Sequence, residues 1–299
     1  MDFRRLEAFC KVYELKSFSK AGEAIFLSQP TVSSHVAQLE EELGVILFDR
    51  LGRSIIPTDA ADVLYTTAAK IFTQIDNVVS EVHLLRDKVV GKLVVGGSTI
   101  PSHYILPSVL SDFIKNYPEV EAHMCVGHTD DIMSKVLNGD LVLGVIGAKP
   151  ERPEITSFPL LKDSLVVVGS NAYKSVGDSF MDYPWIVREK GSGTRKAFEL
   201  ALGAAGHQLK NLNVTAWVDS TEAVLQCVKA GMGVSVTSRL AAKPYIDSGE
   251  MKVLSHLPFK VERSFHVIYR KGRNLYPACR YFIDYVKKSA EQIEKSMIG

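Results

Sequence analysis

The chain is poor in the features that would mark it as stapled, exported or membrane-bound. Its 299 residues hold four cysteines, Cys10, Cys125, Cys227 and Cys279, far apart and with no CxxC pair. Neither a zinc site nor a disulfide framework is supported, and a reducing compartment fits. No apolar run approaches the ~18 residues that cross a bilayer; Val45-Ile46-Leu47-Phe48 and Leu165-Val166-Val167-Val168 are far too short. No apolar stretch follows Met1-Asp2-Phe3-Arg4-Arg5, so no secretory signal and no membrane partner are expected, and the expected location is the cytoplasm. Charge of one sign is lacking as well: 35 Lys and Arg face 34 Asp and Glu, for a net charge of +1. Even Met1–Thr58 is not basic, so any DNA-binding surface there must gather its positive charge on one face.

Enzyme motifs are missing too. There is no GxxxxGK(S/T), no GxGxxG after a strand, no HExxH and no GxSxG. The eight histidines are scattered, and no Cys/His set or carboxylate pair stands out. The sequence therefore nominates no catalytic residue, no metal ligand and no cofactor. What remains is an ordinary globular balance, 46% hydrophobic and 23% charged, at a length that suggests two or three compact units.

Leu6, Phe9, Cys10 and Tyr13 recur at helical spacing and predict a first amphipathic helix. Ser17 is placed to cap a short second helix carrying Phe18, Ala21, Ala24 and Ile25. Ser28 is placed to cap a third, with Pro30 in its first turn and Gly44 at its end. The third helix should bury Val32, Val36, Leu39 and Leu43. Its outer residues, Gln29, Thr31, Ser33, Ser34, His35 and Gln38, are hydrogen-bonding side chains suited to base edges and phosphates. Two helices joined by a tight turn, the second polar outside, is the helix-turn-helix plan. From Leu47 to Pro57 a short hairpin is expected, with Arg50 and Arg53 placed as a wing for phosphate or the minor groove. A helical bundle with a merely solvated polar face would produce similar periodicity.

The residue string narrows this. Phe18-Ser19-Lys20-Ala21-Gly22, Leu27-Ser28-Gln29-Pro30-Thr31-Val32-Ser33, Leu39-Glu40, Leu43-Gly44 and Leu47-Phe48-Asp49-Arg50 resemble the N-terminal signature of LysR-type transcriptional regulators. That resemblance implies a winged helix-turn-helix over residues 1–58, with Gln29, Pro30, Thr31, Ser33, Ser34, His35 and Gln38 facing DNA. Double-stranded DNA is the expected partner, together with RNA polymerase.

After Thr58 a seam of Leu64, Ala68, Ile71, Ile75, Val78, Val82, Leu85 and Val89 alternates steps of four and three, as a coiled coil requires. Thr58 or Asp59 should cap this linker helix, taken as residues 59–90, and Gly91 should stop it. Two readings stay open: a seam between two copies, or a helix lying on its own domain's core. The resemblance implies the former, as a homodimer or homotetramer. The family often has Thr-x-Ala-Gly where this chain has Thr58-Asp59-Ala60-Ala61, which favours a stiffer start.

Beyond Gly91, strands and helices alternate, which predicts a mainly parallel sheet covered on both faces. The pattern restarts near residue 162. Two α/β lobes of this size resemble the family's effector domain, itself similar to periplasmic binding proteins. The resemblance implies crossovers near Asp163 and His266: effector lobe I over 91–162 and 267–299, lobe II over 163–266. Ligands of such folds lie between lobes at helix N-termini. Two loops meet that description, and the resemblance assigns both to the effector: Ser98, Thr99 and Ser102 in one, Ser192, Gly193 and Thr194 in the other, with Gly147 between them. Free N–H groups and hydroxyls there favour an anion, and Arg188, Lys190, Arg195 and Lys149 are near enough in sequence to add charge. Taken singly, each loop also reads as an ordinary capped turn. Val142 stands where many relatives have Asp, which puts the usual polar support near Gly144–Gly147 in question.

The reading is thus an α/β chain with an N-terminal winged helix-turn-helix, a long linker helix and a two-lobed effector domain. Its function would be regulation of a promoter by a small anionic effector. The alternative is a cytoplasmic small-molecule-binding enzyme or solute-binding protein with a helical interaction module at its N-terminus.

Overall fold

A computed structural model describes residues 2–51, 54–85, 88–174, 179–254 and 261–298. They form two compact units, Met1–Val82 and His83–Gly299.

The first unit opens with α1 (Phe3–Leu15), α2 (Phe18–Ala24) and α3 (Gln29–Leu43). Each start is set by local cap chemistry. The Ser17 hydroxyl accepts from the Lys20 amide and the Ser28 hydroxyl from the Thr31 amide, both at 3.3 Å. Pro30 lies in the first turn of α3, where no amide hydrogen is needed. Gly44, at φ 68°, ends α3. Val32, Val36 and Leu39 are buried with Phe9, Ala21 and Leu47 in one core. Leu43 departs from expectation: it is 41% exposed, because the chain turns away at Gly44 before the last helical position can be covered. The wing is the antiparallel pair β1 (Phe48–Leu51) and β2 (Ser54–Pro57). Glu40 fastens it to α3 by accepting from the Leu47 amide at 2.8 Å and the Phe48 amide at 3.3 Å. The side chain of Arg50 and the whole of Arg53 fall outside the described residues.

One strained residue stands out. Phe26, in the turn between α2 and α3, holds φ at 57° with its ring 96% exposed. An L-residue with a Cβ pays about 1–2 kcal/mol in this region, and no packing offsets it here. Phe26→Asn is expected to stabilise the unit by about 0.5–1 kcal/mol, since Asn tolerates the left-handed region. Urea denaturation of the full chain checks this; an unchanged or lowered midpoint would show that the phenyl ring is held by contacts of its own.

α4 (Asp59–Leu84) follows, with the Thr58 hydroxyl accepting from the Ala61 amide at 3.3 Å and donating to the Ile46 carbonyl at 2.8 Å. Its first half packs on the core through Ala61, Ala68 and, in part, Leu64 and Phe72. Tyr65 stacks on Tyr13 with ring centroids 4.0 Å apart. Further along, Ile75, Val78 and Val82 are 41, 62 and 57% exposed. The reading in which the helix lies on its own core holds for its first half, and the second half leaves these seam residues uncovered in the single chain. The expected length does not hold. The helix stops at Leu84, Leu85 lies beyond it, and Val89 is buried in the second unit's core with Leu93 and Phe113. An apolar core took Val89 out of the heptad.

The second unit begins with β3 (Gly91–Ser98), a π-helical turn (Pro101–Ile105), α5 (Leu106–Asn116), β4 (Val120–Gly127), α6 (Thr129–Asn138) and β5 (Leu143–Ile146). β6 (Ile155–Ser170), β7 (Trp185–Arg188), α7 (Gly193–Ala204), β8 (Val214–Val218), α8 (Thr221–Lys229), β9 (Ser235–Ser238), α9 (Arg239–Asp247), β10 (Met251–Val253), β11 (Val261–Arg270) and α10 (Pro277–Ile298) complete it. β4, β3 and β5 are parallel, as are β7 and β8. The rest of the sheet is antiparallel: β11 on β5 and β6, and β9 and β10 on β6. The sheet is mixed rather than mainly parallel because β6 and β11 run side by side through both lobes, one up and one back.

Asp163 faces Arg263 in that pairing, and the register shifts between Phe265 and His266. From there β11 joins β5, and α10 returns to α5, where Phe113 and Phe282 meet edge to face at 5.2 Å. The second lobe has its own core around Trp185, Phe198, Leu202 and Val234. Val142 is buried among apolar residues, so this position supplies no polar group near Gly144–Gly147.

Candidate functional site: a recognition helix and an interlobe cleft

On α3, Val32, Val36 and Leu39 point inward, which leaves Gln29, Pro30, Ser34 and Gln38 exposed and Thr31, Ser33 and His35 half-buried. Ser34 accepts a long 3.5 Å bond from the Gln38 amide, and Thr31 shares a 2.8 Å bond with Ser28. The Nδ1 of His35 is buried with no hydrogen-bond partner. No acidic side chain lies between Gln29 and Gln38, whereas Glu40, Glu41 and Glu42 close the helix. At ~1.5 Å per residue these carboxylates begin about 16 Å from the helix N-terminus. The balanced charge of this unit is thus arranged so that the leading end of α3 is free of negative side chains.

In the second unit the two predicted loops converge. Ser98, Thr99, Gly147, Ser192, Gly193 and Thr194 line one cavity with Ile100, His128, Thr129, Arg188, Arg263 and Phe265. Helical backbone begins at Thr99, Thr129 and Gly193, so three helix N-termini open onto the same small space. The Ser192 hydroxyl accepts from the Arg195 amide at 3.4 Å, and Asp131 accepts from the His128 amide at 3.2 Å. The cap of α6 is therefore His128 rather than Thr129, and Thr129 sits in its first turn against the cavity. The cavity encloses about 10 Å³, on the scale of one small ion or water.

Two arginines underlie it, each already matched to a carboxylate. Arg188, 4% exposed, donates to both Glu189 oxygens at 2.7 and 2.9 Å and also to Thr221. Glu189 in turn lies 2.8 Å from His128 Nδ1, which joins the two lobes across the cleft. Arg263 donates to Asp163 at 2.9 Å and to the Thr194 hydroxyl at 3.2 Å, with its guanidinium 4.8 Å from the Phe265 ring centroid. Ser238 donates to the other Asp163 oxygen at 2.8 Å. Burial pushes the Asp163 carboxyl above its ordinary value, against the pull of Arg263 and the Ser238 hydroxyl. With the guanidinium charges so balanced, the groups left to meet a ligand are hydroxyls and helix amides.

Ser102 is the one expected effector residue that the structure places elsewhere. It is 1% exposed beneath Gly97, whose backbone it approaches so closely that a Cβ there would lie 2.2 Å from its hydroxyl. The π-helical turn draws it under the strand instead of into the cleft. Among the cations suggested by sequence proximity, only Arg188 lines the cavity. Arg195 turns away, bonding Glu199 at 2.8 Å and stacking 4.7 Å over Trp217. Lys190 and Lys149 line neighbouring grooves. Arg263 had no local signal: its partner Asp163 is 100 residues away, joined to it only by strand register. Gly147 makes room for that arginine, since a Cβ there would stand 3.0 Å from Arg263 Nη1.

A helix-turn-helix unit followed by a two-lobed binding domain is the architecture of a DNA-binding regulator with an effector domain. Two family models match: the bacterial regulatory helix-turn-helix of the lysR family over residues 3–76, and the LysR substrate binding domain over residues 86–291. The chain belongs to the LysR family of transcriptional regulators; it is a DNA-binding regulator with a small-molecule effector domain and not an enzyme.

The transcriptional activator CmpR of Synechocystis is 29% identical over 98% of this chain and 97% of its own length. The structure of full-length CbnR complexed with target DNA superposes with a TM-score of 0.72 at 21% identity, covering 97% of this chain and all of that one. The regulatory domain of Synechocystis CcmR in complex with 2-PG superposes with a TM-score of 0.60 at 25% identity, covering 68% of this chain and 99% of that domain. No described helix is long and apolar enough to cross a membrane.

Proposed function

We propose that this regulator answers to a small anion held between its lobes by Ser98, Thr99, Thr129, Gly147, Ser192, Gly193 and Thr194, with Arg188 and Arg263 beneath them. The observation that carries this reading is the meeting of three helix N-termini and their hydroxyls on one cavity. Each N-terminus offers unpaired amides and a partial positive charge, a fitted arrangement for an oxyanion or carboxylate. The complex of the CcmR domain with 2-PG supports a small ligand in such a domain. The anion acts by differential affinity, binding the closed cleft better than the open one and so shifting the domain toward closure.

We propose the following for the rest of the chain. Residues 1–58 read DNA through Gln29, Pro30, Thr31, Ser33, Ser34, His35 and Gln38, with Arg50 and Arg53 on the wing. α4 joins two copies through its exposed second half. Residues 91–162 and 267–299 form one lobe and 163–266 the other. The protein works in the cytoplasm as a homodimer or homotetramer, and its regulated step engages RNA polymerase. Closure in one copy changes how paired recognition helices are placed on a two-fold site.

A thermal-shift screen of inorganic anions and small carboxylates tests the cavity. At 100 times its Kd a bound anion adds about 2.7 kcal/mol of stability. The shift should vanish in Thr194→Val while DNA affinity without the anion stays the same. Gln29→Ala should do the reverse, and a shift that survives Thr194→Val would place the ligand elsewhere.

A further inference from the structure

The inner cavity continues into a groove of about 500 Å³, with which it shares Gly147, Gly193 and Arg263. A groove of that size admits a small organic molecule, whereas the inner cavity admits little more than one charged group. One wall is a stripe of α7, with Ala197, Leu200 and Ala201 at helical spacing and Leu200 67% exposed. The other walls carry charge. Lys149 and Lys196 are exposed and so are Glu151 and Glu262, and none of the four forms an ion pair among the described residues. His266 also lines the groove; it is only 9% exposed, and its Nδ1 is buried without a hydrogen-bond partner. Burial, and then Lys149, hold its pKa below the ordinary histidine value, so near neutrality the ring is an uncharged hydrogen-bonding group.

The two chambers thus differ in chemistry. The inner one offers amides and hydroxyls to a single anion. The outer one is electrically balanced, with free cations and free carboxylates beside a short apolar wall. A second simple anion would gain from the lysines and lose to the glutamates, whereas a group carrying both signs can satisfy all four.

We infer that the effector is a compound with an anionic head and a zwitterionic, amino-acid-like tail, the head in the inner cavity and the tail in the groove lined by Lys149, Lys196, Glu151, Glu262 and His266. This rests on the anion-binding reading of the inner cavity. It makes Lys149 and Lys196 specificity residues for the tail's carboxylate, and Glu151 and Glu262 for its ammonium group.

Calorimetric titration of the full chain with three matched pairs tests it: acetate and aspartate, methanesulfonate and cysteate, methyl phosphate and O-phosphoserine. In at least one pair the tailed member should bind ten-fold or more tightly than its tail-less partner. In Lys149→Gln/Lys196→Gln that advantage should disappear while the tail-less member binds as before. The inference is overturned if no tailed member gains, if the double variant weakens both members equally, or if the winning compound keeps its full advantage after losing its ammonium group. Should none of the six compounds bind, the inner cavity's reading as an anion site fails with it.

Discussion

Asp163→Ala is expected to destabilise the effector domain by about 3–5 kcal/mol, the usual cost of stranding a buried charge. Asp163 and Arg263 have side chains 1% and 6% exposed, and their atoms approach to 2.9 Å. Removing the carboxylate leaves the guanidinium without its counter-charge and the Ser238 hydroxyl without its acceptor. Because burial already holds the Asp163 carboxyl high, the pair is costly to keep and costlier to break. An apolar replacement of both, Asp163→Leu/Arg263→Met, should recover most of the loss, since neither charge is then orphaned. Urea unfolding of the three proteins decides the matter. If the single and double variants unfolded alike, the pair would not be acting as a buried ion pair. The double variant should still fail to answer the anion, because Arg263 also holds the Thr194 hydroxyl at the cavity.

If α4 pairs two copies as proposed, Val78→Asp/Val82→Asp should separate them and weaken binding to a two-half-site operator by roughly 10²-fold or more, the scale gained by tethering two readers. Both valines are more than half exposed in the single chain, so the substitution should leave the monomer's stability within about 0.5 kcal/mol. Four carboxylates placed along the seam of two facing helices repel one another and lose the apolar burial that joins them. Sedimentation reads the assembly state and gel-shift titration reads the affinity. A variant that stays dimeric with unchanged affinity would move the interface off α4.

What the sequence made legible was local chemistry. Ser17, Ser28 and Gly44 mark their helix ends because a cap is decided within three residues of itself, and the structure places all three as caps. The hydroxyl loops at Ser98 and Ser192 were visible because both precede helices, although nothing local says that they share a cavity; the sheet brings them together.

What was hidden depends on distant partners. β6 runs for 16 residues where only its last stretch reads as a strand, because its first half pairs with β11 a hundred residues on. α9 escaped because Pro244 lies inside it. Val89 kept the heptad period but went to a core that the period cannot reveal. Arg263 was missed for the same reason as the long strand, since its role exists only once Asp163 lies opposite. Ser102 erred in the other direction: its composition suits a ligand loop, but a π-helical turn, which periodicity does not announce, draws it under Gly97.

On the proposed function, an anion between the lobes changes how the recognition helices meet DNA. Footprinting of the full chain on its operator, with and without a saturating anion identified by thermal shift, tests it most directly. The predicted result is a shifted or shortened protected region with an altered bend, absent in Thr194→Val. An unchanged footprint and bend at saturation, with the anion demonstrably bound, would contradict it.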